Sequence, residues 1–186
     1  SFNTALRLME CEENSWHKHN SELEVLANLG QVYINIGQWA NATECLFKAL
    51  ELMKSKKIFE LRPILNLIYC LISTDRIREC KNLLINLIKE HPLESELYFE
   101  LGTICSLEED NQNAINFFEK AYALSPSIKY AFYLLCRKSI LFDIGSEAES
   151  VLKHTVYSLD DYYWKGAICF YLLQDSEKAK HFYNMS

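Results

Sequence analysis

At 186 residues, 49% hydrophobic and 24% charged, with three prolines, five glycines and no Gly/Ser-rich linker, the chain reads as one continuous globular array. A formal charge of −6 excludes general affinity for nucleic acid, which needs a basic stripe, and Lys54, Lys56 and Lys57 are a short, solvated run. No apolar stretch nears the roughly 18 residues of a membrane-spanning helix, so no membrane insertion is expected, and seven cysteines without a CxxC pair suit free thiols in a reducing, intracellular setting such as the cytoplasm.

Residues 1–22 read as the back helix of a partial repeat plus a connector, because Phe2-Asn3-Thr4-Ala5-Leu6-Arg7-Leu8-Met9 echoes Phe47-Lys48-Ala49-Leu50-Glu51-Leu52-Met53. Both ends of the chain are expected to be cuts from a longer array or protein, since neither carries the polar cap of a solenoid end. His17 and His19, with Cys11 nearby, lack a fourth ligand at a standard spacing, so no metal is expected there.

A first unit spans residues 23–56. Leu26, Leu29, Gly30 and Tyr33 share one helical face, Gly37 sits where a left-handed helix end is wanted, and Ala42, Leu46 and Ala49 line a second helix. Ser21 with Glu24 would cap its start. In residues 61–94, Pro63 suits a first helical turn, and Cys80, Leu84 and Leu87 line the second helix before Pro92. Residues 95–128 are clearest: Tyr98, Leu101, Gly102 and Cys105 on one face, a polar turn from Glu108 to Asn113, then Ala114, Phe118 and Ala121 before Ser125-Pro126. Residues 129–159 place Phe132, Leu135 and Cys136 ahead of a turn at Gly145, with Ser146 and Glu149 capping a helix that buries Ala148 and Leu152. Residues 160–186 offer Tyr163, Ala167 and Phe170, then Ala179 and Tyr183.

Two small-residue tracks run through these units. Ala42, Cys80, Ala114, Ala148 and Ala179 follow Gly30, Ile68, Gly102, Cys136 and Ala167 by 12 residues at each step, and the steps are 38, 34, 34 and 31. A fixed period of this length predicts an all-α solenoid of antiparallel helix hairpins, each stacked on the next.

Tyr98-x-x-Leu101-Gly102-x-x-Cys105, Ala114-x-x-x-Phe118-x-x-Ala121 and Pro126 resemble the signature of the tetratricopeptide repeat. Leu26-x-x-Leu29-Gly30-x-x-Tyr33 with Ala42, Leu46 and Ala49 is similar, so about five repeats plus a partial one are expected over residues 23–186. Ile68 and Cys136 stand where that family has glycine, and Thr155 where it has alanine. The resemblance implies a right-handed superhelix whose concave face, lined by first helices, binds peptides or helices of partner proteins.

Helix geometry picks out that face: the residues about 100° to 180° from the pairing side. Its candidate contacts are Gln31, Asn35, Arg62, Tyr69, Phe99, Tyr130, Tyr133, Arg137, Trp164, Ile168 and Tyr171, with aromatics concentrated towards the C-terminal half. Trp, Tyr and Arg are favoured interface anchors, and an exposed strip of this kind marks an interface. With almost no lysine on it, the strip is not a clamp for the acidic C-termini of chaperones. The expected occupant is an apolar helix or extended hydrophobic peptide, with Arg62 or Arg137 as charge anchor. One alternative has the aromatics packing internally, on flanking helices or a second copy. Another makes the array a repeat region of a larger enzyme or assembly, mediating oligomerisation or domain positioning. No phosphate loop, HExxH or nucleophile elbow is present, so neither catalysis nor a cofactor is expected.

Overall fold

In a computed structural model of the chain, residues 22–186 are described. The readings placed on residues 1–21, namely the partial back helix, the His17/His19/Cys11 loop and the Ser21 cap, lie outside them. The described residues form ten α-helices and no strand: α1 (22–35), α2 (Trp39–Lys56), α3 (Leu61–Ser73), α4 (Ile77–Glu90), α5 (Ser95–Leu107), α6 (Asn111–Leu124), α7 (Ile128–Lys138), α8 (Gly145–Leu152), α9 (Leu159–Ala167) and α10 (Ser176–Tyr183). The fold is an all-α solenoid of helical hairpins. The described residues divide into two compact units, the first ending at residue 80 and the second spanning 81–186, with the boundary inside α4.

The helix ends follow local chemistry. Gly37 closes α1 at a φ of +72°, a left-handed position that costs glycine nothing. Asp110, Ser127 and Asp175 accept hydrogen bonds from the backbone N–H groups of Asn113, Tyr130 and Lys178, satisfying donors at the starts of α6, α7 and α10. Ser158 and Asp161 form a reciprocal capping box on α9. The cap expected from Ser146 and Glu149 is absent: α8 begins at Gly145, whose N–H donates to Asp143 Oδ1 at 3.1 Å, so Ser146 lies inside the helix. α2 has 18 residues against 14 in α6, and this extra turn accounts for the 38-residue first step where the next two steps are 34.

In three of the hairpins a large back-helix side chain sits on a front-helix glycine; α3 and α7 carry Ile68 and Cys136 at that position instead. A Cβ added at Gly30 would lie 2.8 Å from Leu46, and one at Gly102 would lie 2.8 Å from the ring of Phe118. Leu46 and Phe118 are fully buried. The contact is therefore glycine against a bulky residue 16 positions on, while Ala42 and Ala114 are buried four residues before it. In the last hairpin the matching glycine is Gly166, 2.7 Å from Tyr183 by the same measure, where the sequence track runs through Ala167. The reason is a π-helical turn over Ile168–Leu172 that continues α9. A π turn takes in one extra residue, and the spacing here is 17 instead of 16.

Two apolar clusters fill the second unit. Phe99, Phe118, Tyr130 and Leu134 anchor one among α5, α6 and α7; Ala131, Leu135, Ala148, Val151 and Ile168 form the other. Lys165 is buried at 5% exposure, an outcome the sequence did not signal. Its ammonium donates to the carbonyls of Leu152 (2.8 Å) and His154 (2.5 Å), closing the open end of α8.

Gly102→Ala tests the close approach. Alanine gains about 1 kcal/mol of helix propensity, whereas forcing a methyl against a packed ring costs about 1–3 kcal/mol. The variant is expected to lower the thermal midpoint by a few degrees, and Phe118→Leu in the same chain to recover most of the loss relative to Phe118→Leu alone. A neutral or stabilising Gly102→Ala in thermal melts would contradict the packing described.

Candidate functional site

The candidate residues fall into two sets, one in each unit. In the first unit, the Gln31 amide donates to Asn35 Oδ1 at 2.9 Å, and Arg62 Nη1 donates to Asn28 Oδ1 at 3.1 Å, tying α3 to α1. Tyr69 is 54% exposed and meets the Trp39 ring edge-on at 5.8 Å. This face is polar, and its amide and guanidinium groups already partner one another.

The second unit holds the aromatic set, carried by the front helices α5, α7 and α9. Phe99 stacks on Tyr130 at 5.0 Å between ring centroids and meets Tyr133 edge-on at 5.0 Å. Tyr133 lies 5.8 Å from Trp164, Trp164 lies 5.3 Å from Phe132, and Phe132 lies 6.4 Å from Tyr171. These separations fall in the range of favourable offset and edge-to-face pairs. The structure thus brings five of the predicted aromatics into one run of rings, with Phe132, which the groove list lacked, as a link. Exposure along the run is uneven. Phe99 and Tyr130 are buried, Ile168 is fully buried in the core, Tyr133 and Trp164 are half-buried, and Tyr171 is exposed. Phe99 and Tyr130 therefore form the floor, because neighbouring front helices approach closely enough for their rings to cover one another, while Ile168 belongs to the core beneath α7 and α8. The accessible rings are Tyr133, Trp164 and Tyr171. Arg137 is half-buried and donates to Asn111 Oδ1 at 3.5 Å, so its head group is partly engaged.

Charge sits beside this floor. The Tyr130 hydroxyl donates to Glu96 Oε2, and Lys129 Nζ lies 3.3 Å from Glu96 Oε1 and 4.4 Å from the centroid of the Phe99 ring. Burial and the Glu96 bond together push the Tyr130 phenol well above its usual range. Glu96, Lys129, Tyr130, Asp160 and Trp164 border a hollow of about 210 Å³. Asp161 also borders it, but its carboxylate is occupied by the N–H groups of Tyr157 and Ser158 at 2.8 and 3.1 Å. One turn along α5 from Glu96 lies Glu100, half-buried and without a hydrogen bond or ion pair. Its carboxyl is raised to about 7, first by burial and second by Glu96, against a smaller opposing pull from Lys129. The sequence reading passed over Glu100. Its spacing of four from Glu96, which puts both on one face, was the available signal.

The site shows no reactive group. Burial raises the thiols of Cys70, Cys105 and Cys169, and that of Cys136 to about 11, which leaves them protonated and poor nucleophiles at neutral pH. Among the described residues no cluster of three His, Cys, Asp or Glu side chains could hold a metal ion, and no helix is long and apolar enough to cross a membrane.

Glu100 makes stability depend on pH in a defined direction. In the unfolded chain its carboxyl titrates near 4.5, in the folded chain near 7. Below 4.5 both states are protonated and the residue is neutral to folding. As pH rises to 7 only the unfolded state gains from ionisation, and above 7 the folded state carries a penalty of roughly 3 kcal/mol. Glu100→Gln is accordingly expected to raise stability by about 1–3 kcal/mol at pH 8 and to leave it unchanged near pH 4.5, as read by urea denaturation. Equal effects at both pH values would contradict this placement.

Two tetratricopeptide-repeat family models match the chain, one over residues 25–57 and the other over residues 95–128. No curated protein matches the sequence. Among solved structures, a Podosopora anserina putative kinesin light chain with nearly identical TPR-like repeats is similar at 17% identity and TM-score 0.60, over 89% of this chain and 93% of that one. YrrB, described as a TPR protein with an unusual peptide-binding site, is similar at 18% identity and TM-score 0.54, over 92% and 89%. A MamA RS-1 double mutant is similar at 22% identity and TM-score 0.54, over 79% and 84%. At these identities the likeness carries the fold. The two matches place tetratricopeptide repeats at residues 25–57 and 95–128, within the all-α hairpin fold of the described residues.

Proposed function

We propose that the chain is a non-enzymatic protein-interaction scaffold whose second unit binds a peptide or helix of a partner protein along the rings of α5, α7 and α9. The observation that carries this reading is the run from Phe99 through Tyr133 and Trp164 to Tyr171, buried at one end and accessible at the other. A floor already packed against itself loses little freedom when a partner arrives, and half-buried Trp and Tyr rings gain contact area on binding. YrrB's description as a peptide-binding repeat protein supports the same use of this fold.

Selection of a displayed random 12-residue peptide library on the immobilised chain tests it. Trp164→Ala and Tyr133→Ala are each expected to weaken the selected peptides at least tenfold, the size typical of an interface anchor, while circular dichroism stays unchanged. Peptides that bind both variants as tightly as the parent chain would defeat the groove reading.

A second reading, self-association through the repeat array, is favoured by α1. Val25, Leu29, Val32 and Ile36 form an apolar stripe at spacings of four, three and four, exposed by 61, 38, 52 and 59%. That is the spacing of a helix-pairing seam. The residues that match Val25, Leu29 and Val32 in α3 and α5, namely Pro63, Leu67 and Cys70, then Leu97, Leu101 and Ile104, are all buried. If α1 pairs with a second copy, sedimentation velocity will show a dimer that Val32→Glu converts to monomer. A monomeric parent chain at about 100 µM, well above the micromolar range of weak association, would dismiss this reading.

A further inference from the structure

The groove holds one feature that neither the family fold nor the aromatic floor accounts for. Glu100, one residue on from Phe99 in α5, has no partner of its own: Lys129, the cation that acts on it, is committed to Glu96 and to the face of Phe99. The charged and titratable groups that act on Glu100 are Glu96 on its own helix and Lys129 and Tyr133 on α7, and none of them compensates it by contact. Removing a carboxylate from water without a partner opposes folding, so the fold gains nothing from this side chain. Glu100 follows Phe99 in α5, the Phe99 ring meets that of Tyr133 at 5.0 Å, and the half-buried rings of Tyr133 and Trp164 are 5.8 Å apart. A carboxylate beside accessible aromatic faces suits a long cationic side chain: the stem lies along the rings, the head meets the carboxylate, and cation–π attraction adds to the pairing. The net charge of −6 favours approach of a basic segment.

We propose that the polypeptide bound in this groove presents a lysine or arginine side chain, flanked by apolar residues, to Glu100 between Tyr133 and Trp164. This rests on the groove reading above and goes further, because it names the charge of the partner. It also replaces Arg62 and Arg137 as the charge anchor, since both guanidinium groups already donate to asparagine side chains.

The test is a parallel selection of the displayed 12-residue library on the parent chain and on Glu100→Gln at pH 8, where Glu100 is ionised. Glu100→Gln keeps the shape and removes the charge. Peptides selected on the parent are expected to carry Lys or Arg at one fixed position beside apolar residues, enriched at least fivefold over the library. Those selected on Glu100→Gln should keep the apolar positions and lose the basic one. One enriched peptide is then remade with glutamine at the basic position. Its affinity should fall about tenfold on the parent chain, as expected for loss of a charge-assisted contact, and less than twofold on Glu100→Gln. Selected peptides without a fixed basic position, or with one retained on Glu100→Gln, overturn this proposal and leave the groove reading standing. Recovery from the parent no higher than from Trp164→Ala overturns both.

Discussion

The constraint on which the second unit depends is the contact between Gly102 of α5 and the Phe118 ring of α6. With no Cβ in the way, the two helices close on one another, and the ring fills the space that a methyl would take. Leu46 on Gly30 and Tyr183 on Gly166 repeat the device in other hairpins. A repeat array has no single central core, so each hairpin must be sealed by its own lock and then stacked on its neighbour. Because the lock consumes the inner face of each front helix, the opposite face is free to vary. In the second unit that free face carries the rings and Glu100.

The chemistry of the site follows from this division. Phe99 belongs to both sides: it touches Phe118 at 5.5 Å within the hairpin and stacks on Tyr130 of the next front helix. The lock thereby fixes the floor of the groove, and the rings above the floor inherit its rigidity. Acidic groups placed on such a floor are poorly hydrated. Glu96 meets this with the Tyr130 hydroxyl and Lys129, whereas Glu100 meets it only by holding its proton to higher pH. A residue that opposes folding and faces an accessible aromatic surface is the pattern expected where stability has been exchanged for recognition.

Much of this architecture was legible in the sequence. The return of small residues announced hairpins because close helix approach demands them, and Gly37 and Ser125-Pro126 marked ends for backbone reasons that hold in any context. The last unit was misread by one residue, Ala167 for Gly166, because a π turn breaks the 3.6-residue period on which phase arguments rest. Helical phase put the rings of α5, α7 and α9 on a common face, yet it could not distinguish the covered rings from the accessible ones. Phe99, Tyr130 and Ile168 are covered by neighbours that only the stacking of helices supplies. Lys165 and Glu100 escaped for a related reason. Each reads as an ordinary solvated charge in sequence, and burial depends on what the fold lays over it.

The central claim is that the accessible rings of Tyr133, Trp164 and Tyr171, above the floor formed by α5 and α7, receive another polypeptide. Fluorine NMR of the chain labelled with 5-fluorotryptophan tests it most directly, with a library-selected peptide added at saturation and the three tryptophans assigned by substitution. The Trp164 resonance is expected to shift, while that of Trp39, which packs on Tyr69 in the first unit, stays in place. A bound peptide that moves Trp39 and leaves Trp164 unchanged would contradict the account.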